Sequence, residues 1–346
     1  MAKYPTLKRL GICTEVKYSS KIVKILSDIS KLTPFFDFNF TKPQKLSLRR
    51  HAKISAVTYS NQIEGNTLSE TQVERLLKQG KLRKPNHEEK EVKNYSDALE
   101  FADILGREEK EIKLSDILDL HKLVMNGLLE KKQIGSLRGI PVSIVNSESK
   151  QVIDLCPEPH ELKQAMEEFV EWIKDHKNED PFVRAFSAHF IGVLIHPFLD
   201  GNGRTIRILQ QLCLLKSKVE VANYVSSESM IIKNKNEYYH AIRVSKKINK
   251  IQFFCEYLGT CFLKAMKETI KTNEKKSIGS QGLFTPKDRE KMILKEARDL
   301  GEFQMCDLQK CISKIPKRTL ERDLRRLVKI KKIKAKGKNK GRKYKL

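Results

Sequence analysis

Long apolar runs are missing from this chain. None approaches the ~18 residues that a membrane-spanning helix needs, and the mean hydropathy is −0.49. A membrane role therefore has no support in the sequence. The opening residues Met1, Ala2, Lys3, Tyr4 and Pro5 lack the apolar core of a signal peptide, so no secretory leader is expected. Paired cysteine motifs are also missing. The 7 cysteines, at positions 13, 156, 213, 255, 261, 306 and 311, contain no Cys-x-x-Cys pair. Such an odd, scattered set argues against a disulfide framework and for reduced thiols in a cytoplasmic protein. There is no internal repeat.

Acidic residues are scarce near the C-terminal end. From 314 to 346 there are 16 Lys and Arg against two acids, Glu321 and Asp323, so +14 of the formal +25 lies in the last tenth of the chain. That distribution describes a discrete basic module rather than a uniformly basic protein. At 346 residues with 39% hydrophobic content, the chain can hold one large domain and a smaller one.

Helical periodicity dominates, and the fold class expected is mostly α. Apolar spacing predicts helices over 18–31, 43–60, 68–80, 88–105, 115–128, 158–176, 181–195, 202–217, 234–246 and 250–276. From Gly139 to Leu155, Ile140, Val142 and Ile144 alternate with other residues and Val152 and Ile153 supply a return, which reads as a β-hairpin. An irregular surface loop is the other reading. Gly and Ser break the helical pattern within 274–284 and place a linker at 278–285.

The densest chemistry lies between His196 and Arg207. Gly201 and Gly203 flank Asn202 just ahead of Ile206, Ile208, Leu209 and Leu212, so a tight turn opens a helix here. A helix start leaves N–H groups unpaired and carries partial positive charge, which suits an anion. Glycines let backbone donors approach phosphate oxygens. Arg204 and Arg207, three residues apart, project from one helix face and can fork onto phosphates. Asp200 is a hard oxygen ligand placed for Mg²⁺ beside phosphates. His196 is the group in the segment that can take a proton near neutral pH. Taken singly, each feature has a plain reading as an ordinary turn, a packed loop histidine or solvated charges. A zinc site of His189, His196 and Asp200 lacks the i, i+4 histidine pair of helical zinc sites, and His189 reads as a structural hydrogen-bonding histidine within the preceding helix.

The run His196-Pro197-Phe198-Leu199-Asp200-Gly201-Asn202-Gly203-Arg204-Thr205-Ile206-Arg207 resembles the core motif of the Fic family at every defined position. The resemblance implies a Fic-type helical bundle with a β-hairpin flap. It implies transfer of AMP from ATP, with Mg²⁺, to a Tyr, Thr or Ser hydroxyl of a target protein that docks on the flap at 139–155. In that reading His196 is the catalytic base and Asp200 the metal ligand. Gly201, Asn202 and Gly203 form the anion hole, and Arg204, Thr205 and Arg207 complete the nucleotide site with His196 and Glu64. Asn234 to Tyr239 resembles a further family segment, which would put Tyr239 against adenine; plain packing is the other reading. Ile206 departs from the glycine that many relatives carry and would narrow the space between the arginines. Gly203 keeps the glycine that phosphate-transferring relatives lose.

Ser60-Asn61-Gln62-Ile63-Glu64-Gly65 resembles the family's inhibitory motif. The resemblance implies a salt bridge from Glu64 to Arg207, so that Ser60, Glu64 and Gly65 restrain the enzyme from within. Removal of AMP by the same glutamate stays open. Without the core motif, the segment reads as a helix end stopped by Gly65.

Residues 286–346 resemble a small winged helix-turn-helix domain: helices at 287–300, 305–313 and 316–327, then basic strands at 332–336 and 342–346. This would bind DNA through 316–346; a solvated basic tail is the other reading. The expected organisation is an N-terminal helical region at 1–110, a catalytic core at 111–277, the linker, and the winged domain at 286–346. Two functions compete: a self-restrained protein adenylyltransferase, and a DNA-binding regulator with a sensory or vestigial ATP domain. The oligomeric state, a homodimer included, is not set by the sequence.

Overall fold

The computed structural model describes residues 3–38, 40–79, 84–145, 152–279, 286–312, 315, 317–337 and 342–346. Residues 146–151 of the expected hairpin, 280–285 of the expected linker and 338–341 between the expected basic strands lie outside them. The chain forms two compact units, Met1–Glu268 and Thr269–Leu346. Among the described residues no helix is long and apolar enough to cross a membrane. All 7 cysteines are free thiols.

The first unit opens with α1 (Pro5–Arg9), α2 (Ser20–Phe38), α3 (Lys42–Ile63), α4 (Glu70–Gln79), α5 (His87–Arg107) and α6 (Leu114–Val124). A hairpin of β1 (Ser143–Val145) and β2 (Val152–Leu155) follows, paired antiparallel with Ser143 opposite Leu155. Then come α7 (Leu162–Asp175), α8 (Pro181–Ile195), α9 (Asn202–Lys216), the short α10 (Glu228–Ile231), α11 (Lys235–Lys247) and α12 (Ile251–Gly279), of which the residues from Thr269 on count with the second unit. Helices α8 and α9 form the centre. They pack on each other, α7 covers α8, and α5 and α6 cover α9. Every residue of α8 after Pro181 is buried, as expected for a helix that is apolar all round.

Several boundaries differ from the sequence pattern. Helix α2 runs beyond 31, through Pro34, to Phe38, because fully buried Phe36 packs on Tyr224 with stacked rings 6.2 Å apart. Helix α6 ends at Val124, and Gly127 then turns the chain at φ 68°. The stretch from 274 continues α12 to Gly279 rather than opening a linker, since Glu and Lys there are good helix formers. Ile206 does not narrow the gap between the arginines. It is fully buried and faces Gly192 of α8, where an added Cβ would lie 2.5 Å from Ile206 Cδ1.

The second unit holds α13 (Pro286–Leu300), β3 (Glu302–Gln304), α14 (Met305–Cys311), α15 (Lys317–Lys329), β4 (Lys334–Lys336) and β5 (Lys343–Lys345). The antiparallel strand order is β3-β5-β4. Strand β3 has no clear periodic signal in three residues. Ile293, Ala297, Phe303, Leu308, Leu320, Leu324 and Leu327 form this unit's own core. A buried ion pair joins Arg289 Nε to Asp323 Oδ2 at 2.5 Å.

Candidate active site

Helix α8 delivers the histidine. Asp180 caps its start by accepting the N–H groups of Phe182 at 2.9 Å and Val183 at 3.3 Å, and Pro181 fits the first turn, where no N–H is needed. The helix stops at His196, in the left-handed region at φ 48° and ψ 60°. Arg138, buried, holds that stop. Its Nε donates to His196 O at 2.8 Å, Nη1 to Ile140 O at 2.8 Å and Nη2 to Pro157 O at 2.6 Å. One guanidinium therefore fixes the histidine relative to both ends of the hairpin segment.

His196 Nδ1 lies 3.2 Å from Val193 O. A carbonyl only accepts, so Nδ1 carries the ring hydrogen and Nε2 keeps its lone pair. Burial pushes this imidazole down to about 4, against the opposing pull of Val193 O and the Glu64 carboxylate. At pH 7 it is a neutral proton acceptor. A second histidine supports the loop: His121 Nδ1 accepts the Gly135 N–H at 3.0 Å and Nε2 donates to Asp200 O at 3.1 Å. Its ring stacks on Phe198 at 3.8 Å, and burial likewise lowers it to about 4.

The turn into α9 needs both glycines. Gly201 has φ 76°, and a Cβ there would lie 2.5 Å from Met125 Sδ. A Cβ at Gly203 would collide with Glu64 Oε1. Asn202 uses its whole side chain on the loop: Oδ1 accepts the Phe198 N–H and Nδ2 donates to Phe198 O, both at 2.8 Å. Any anion contact by Asn202 is thus left to its backbone N–H. Thr205 is fully buried, with its N–H on Gly201 O at 2.9 Å. Asp200, with a side chain 60% exposed, sits at the rim, its Oδ1 3.6 Å from Arg204 Nη2.

Both arginines are buried, and each meets a glutamate. Arg207 Nη2 donates to Glu64 Oε1 at 2.6 Å and to Ser60 O at 3.0 Å, while Nε donates to Ser60 Oγ at 2.7 Å. Gly65, at φ 107°, turns the chain after α3. Burial pushes the Glu64 carboxyl up, but Arg207, Arg204 and Lys235 together hold it below its ordinary range. Arg204 Nη1 donates to Glu91 Oε1 at 2.6 Å. Glu91 Oε2 accepts Nδ2 of Asn66 at 2.9 Å, two residues after Glu64. Tyr239 is half-buried on α11, its ring 5.3 Å from that of Tyr238. Tyr238 belongs to the core. His189 Nδ1 donates to Gln210 Oε1 at 2.6 Å, and its Nε2 accepts the Tyr238 hydroxyl at 2.9 Å.

The structure thus brings Ser60, Glu64, His196, Asp200, Gly201, Asn202, Gly203, Arg204 and Arg207 to one end of α9. It adds Glu91, His121 and Lys235, which sequence reasoning missed, and it ties Arg138 to His196. Glu91 and His121 stand far from the core motif in the chain and no local pattern marks them, while Lys235 lies inside the Asn234 to Tyr239 segment, where the reading fell on Tyr239. Histidine, exposed carboxylate, helix start and buried arginines converge as in proteins that handle phosphate-bearing ligands.

Residues 111–214, which carry the histidine, the glycine turn and both arginines, match the Fic/DOC family model. The chain is 32% identical over 203 residues to protein adenylyltransferase fic-1 of Caenorhabditis briggsae, covering 57% of this chain and 37% of that one. To protein adenylyltransferase Fic of Nematostella vectensis it is 29% identical over 181 residues, 51% of this chain and 40% of the other. The chain therefore spans about two fifths of the length of these curated relatives. Among solved structures, a Fic family protein from Desulfovibrio desulfuricans G20 superposes with a TM-score of 0.68 at 23% identity, over 96% of this chain and 97% of that one. Residues 134–508 of Fic-1 from C. elegans give 0.61 at 26% identity, over 73% of each chain.

Proposed function

We propose that this chain is a protein adenylyltransferase that moves AMP from ATP to a hydroxyl side chain of a target protein and is restrained by its own Glu64. The observation that carries the reading is the occupancy of Arg207. Glu64 Oε1 lies 2.6 Å from Arg207 Nη2 and against Gly203, on the surface where a phosphate tail would rest. A guanidinium committed to a carboxylate cannot fully serve a phosphate. Nucleotide held without that grip is out of line for attack, and reactivity depends on sub-ångström placement.

Once Glu64 withdraws, His196 Nε2 takes the proton of a Tyr, Thr or Ser hydroxyl. The hydroxyl oxygen bonds to the α-phosphorus of ATP, the bond to the β-phosphate bridging oxygen breaks, and pyrophosphate leaves. The first N–H groups of α9, with Arg204 and Arg207, stabilise the charge that develops. Among the described residues no cluster of three or more metal-binding side chains exists. A single exposed carboxylate fits Mg²⁺, which is usually held by one or two carboxylates plus phosphates and water. Asp200 would hold that ion, which neutralises phosphate charge when bound. Tyr239 would face adenine. The target would dock on the hairpin, where Ile140 and Val152 are 55% and 58% exposed. The free thiols suit a cytoplasmic setting.

The test is transfer from α-labelled ATP with Mg²⁺. Glu64→Gly should raise label incorporation strongly, and Arg207→Ala should abolish it in that background. Unchanged incorporation by Glu64→Gly, or a phosphate rather than an AMP mass on the product, overturns the reading.

A second reading concerns the unit Thr269–Leu346, for which we infer binding to duplex DNA. In β4 and β5, Lys334 stands opposite Lys345 and Lys336 opposite Lys343, all exposed. Like charges directly opposite are destabilising, and a polyanion relieves them. Arg318, Arg322, Arg325 and Lys329 form an exposed stripe on α15. A helix about 10–12 Å wide fits the major groove of B-DNA, about 12 Å wide, whereas side chains cannot read the narrow A-form RNA groove. The full set of acid/base and phosphate-binding groups at α9 favours an enzyme that carries this unit over a regulator with a vestigial core.

A further inference from the structure

At the far end of α9 from Gly203 lies a second concave site, about 530 Å³ in volume. It sits among the C-terminal ends of α5, α7 and α9, the loop before α6 and the start of α8. Seven cationic side chains and three carboxylates line it, a net of four positive charges. Glu111 balances Lys174 at 3.2 Å and Lys177 at 3.9 Å, and Glu108 balances Lys110 at 3.8 Å. Arg107, Arg184, Lys216 and Lys218 have no carboxylate within ion-pair distance among the described residues.

Two of these four are bound into the framework by neutral acceptors. Arg184, only 7% exposed, donates through Nη2 to Cys213 O at 3.1 Å and Ser217 Oγ at 2.7 Å, and its buried Nε has no hydrogen-bond partner among the described residues. Lys216 Nζ donates to the carbonyls of Glu108 at 2.8 Å and Lys110 at 2.6 Å. Carbonyls satisfy its hydrogens, and burial lowers its pKa against the more distant pull of Glu108 and Asp116.

Lys218 adds an independent observation. The end of α9 closes in a Schellman motif, with Lys218 N–H on Leu215 O at 2.9 Å and Val219 N–H on Leu214 O at 3.1 Å. The left-handed position of that motif normally takes glycine. Here a lysine holds it at φ 58°. The chain accepts backbone strain and thereby places a cation at the rim of the cavity.

We propose that this cavity is an anion site for a compact oligophosphate, separate from the nucleotide site. A net of four positive charges in a small concavity, Glu109 included, calls for a ligand with several negative charges close together, and guanidinium and ammonium groups match phosphate oxygens. The volume lies in the range of about 300–1,000 Å³ typical of small-molecule pockets. A flat polyanion surface is not what this concavity fits.

The experiment is calorimetric titration of the full chain with inorganic pyrophosphate at constant ionic strength. Arg207→Ala is present throughout, so that the other phosphate site is disabled. Saturable binding is expected, with citrate at least tenfold weaker. Lys218→Gly should weaken pyrophosphate binding at least tenfold while raising the ligand-free Tm, because glycine relieves the strain. Arg107→Gln should weaken binding without that gain. Absence of saturable binding, citrate binding as tightly as pyrophosphate, or unchanged affinity in both Lys218→Gly and Arg107→Gln overturns the proposal.

Discussion

Glu91 is shared between Arg204 and Asn66: one carboxylate oxygen takes Arg204 Nη1 at 2.6 Å, the other takes Asn66 Nδ2 at 2.9 Å. Helix α5 thus joins a motif arginine to the turn that carries Glu64. Thr67 reinforces the link, its N–H on Glu88 Oε1 at 2.7 Å. Arg204 is 3% exposed, and its next carboxylate, Asp200, stands 3.6 Å away. Glu91→Ala should therefore destabilise the fold by about 1–3 kcal/mol, the cost of an unmet buried donor. In the Glu64→Gly background it should also lower kcat/KM, because Arg204 loses its aim. Glu91→Gln keeps an acceptor for Nη1 and should restore much of the stability. Urea denaturation and steady-state transfer assays check this. Equal stability of the alanine variant and its parent would remove Glu91 from the role.

The neutral histidines make a pH prediction. Burial holds His196 and His121 at about 4 and His189 at about 3. An unfolded chain titrates histidine near 6.5 and so binds more protons between about 4 and 6.5 than the native state does. Stability from these three groups is complete above about 6.5 and is lost as pH falls toward about 4 for His196 and His121 and about 3 for His189, at about 1.4 kcal/mol per pKa unit of difference. Histidine-selective NMR should find three of the 8 imidazoles silent between pH 5 and 8. Transfer by Glu64→Gly should stay flat over that range, since the base is already deprotonated. His196→Ala should remove about 10²–10⁴-fold of the rate while sparing nucleotide binding. A rate that rises steeply between pH 6 and 7 would contradict a depressed His196.

Much of this is legible in the chain. Apolar spacing marks the main helices, because each buries one face or all of its surface on a neighbour. The run from His196 to Arg207 draws attention because its acid/base, carboxylate, glycine and arginine groups are contiguous. What escapes is what contiguity cannot encode. Glu91 and Arg204 are 113 positions apart, and Arg138 reaches His196 across 58. Ile206 looks from the sequence like a neighbour of the phosphate site, because only the packing of α8 on α9 reveals Gly192 opposite it. Pro34 suggests a helix end, yet the burial of Phe36 outweighs the missing backbone hydrogen bond.

The lysine ribbon of β4 and β5 sets the last prediction. Lys334 and Lys336 face Lys345 and Lys343, while Ala335 and Tyr344 turn the other way. Glu302 meets this face, holding Lys343 at 3.0 Å. Replacing Lys334 and Lys336 by Gln should act in two opposed ways. Without DNA, it removes like-charge opposition and should stabilise the protein by roughly 0.2–1 kcal/mol per pair. With duplex DNA, it leaves phosphates unneutralised, so affinity should fall equally for all sequences. The slope of log K against log salt should become shallower by about 0.9 for each phosphate that is no longer neutralised. Arg322→Ala on α15 should behave differently, costing about 1–3 kcal/mol on a preferred sequence alone if its guanidinium reads a base edge. Fluorescence anisotropy of a labelled duplex across a salt series separates the two. A slope untouched by the double lysine change would mean that the ribbon does not lie on phosphates.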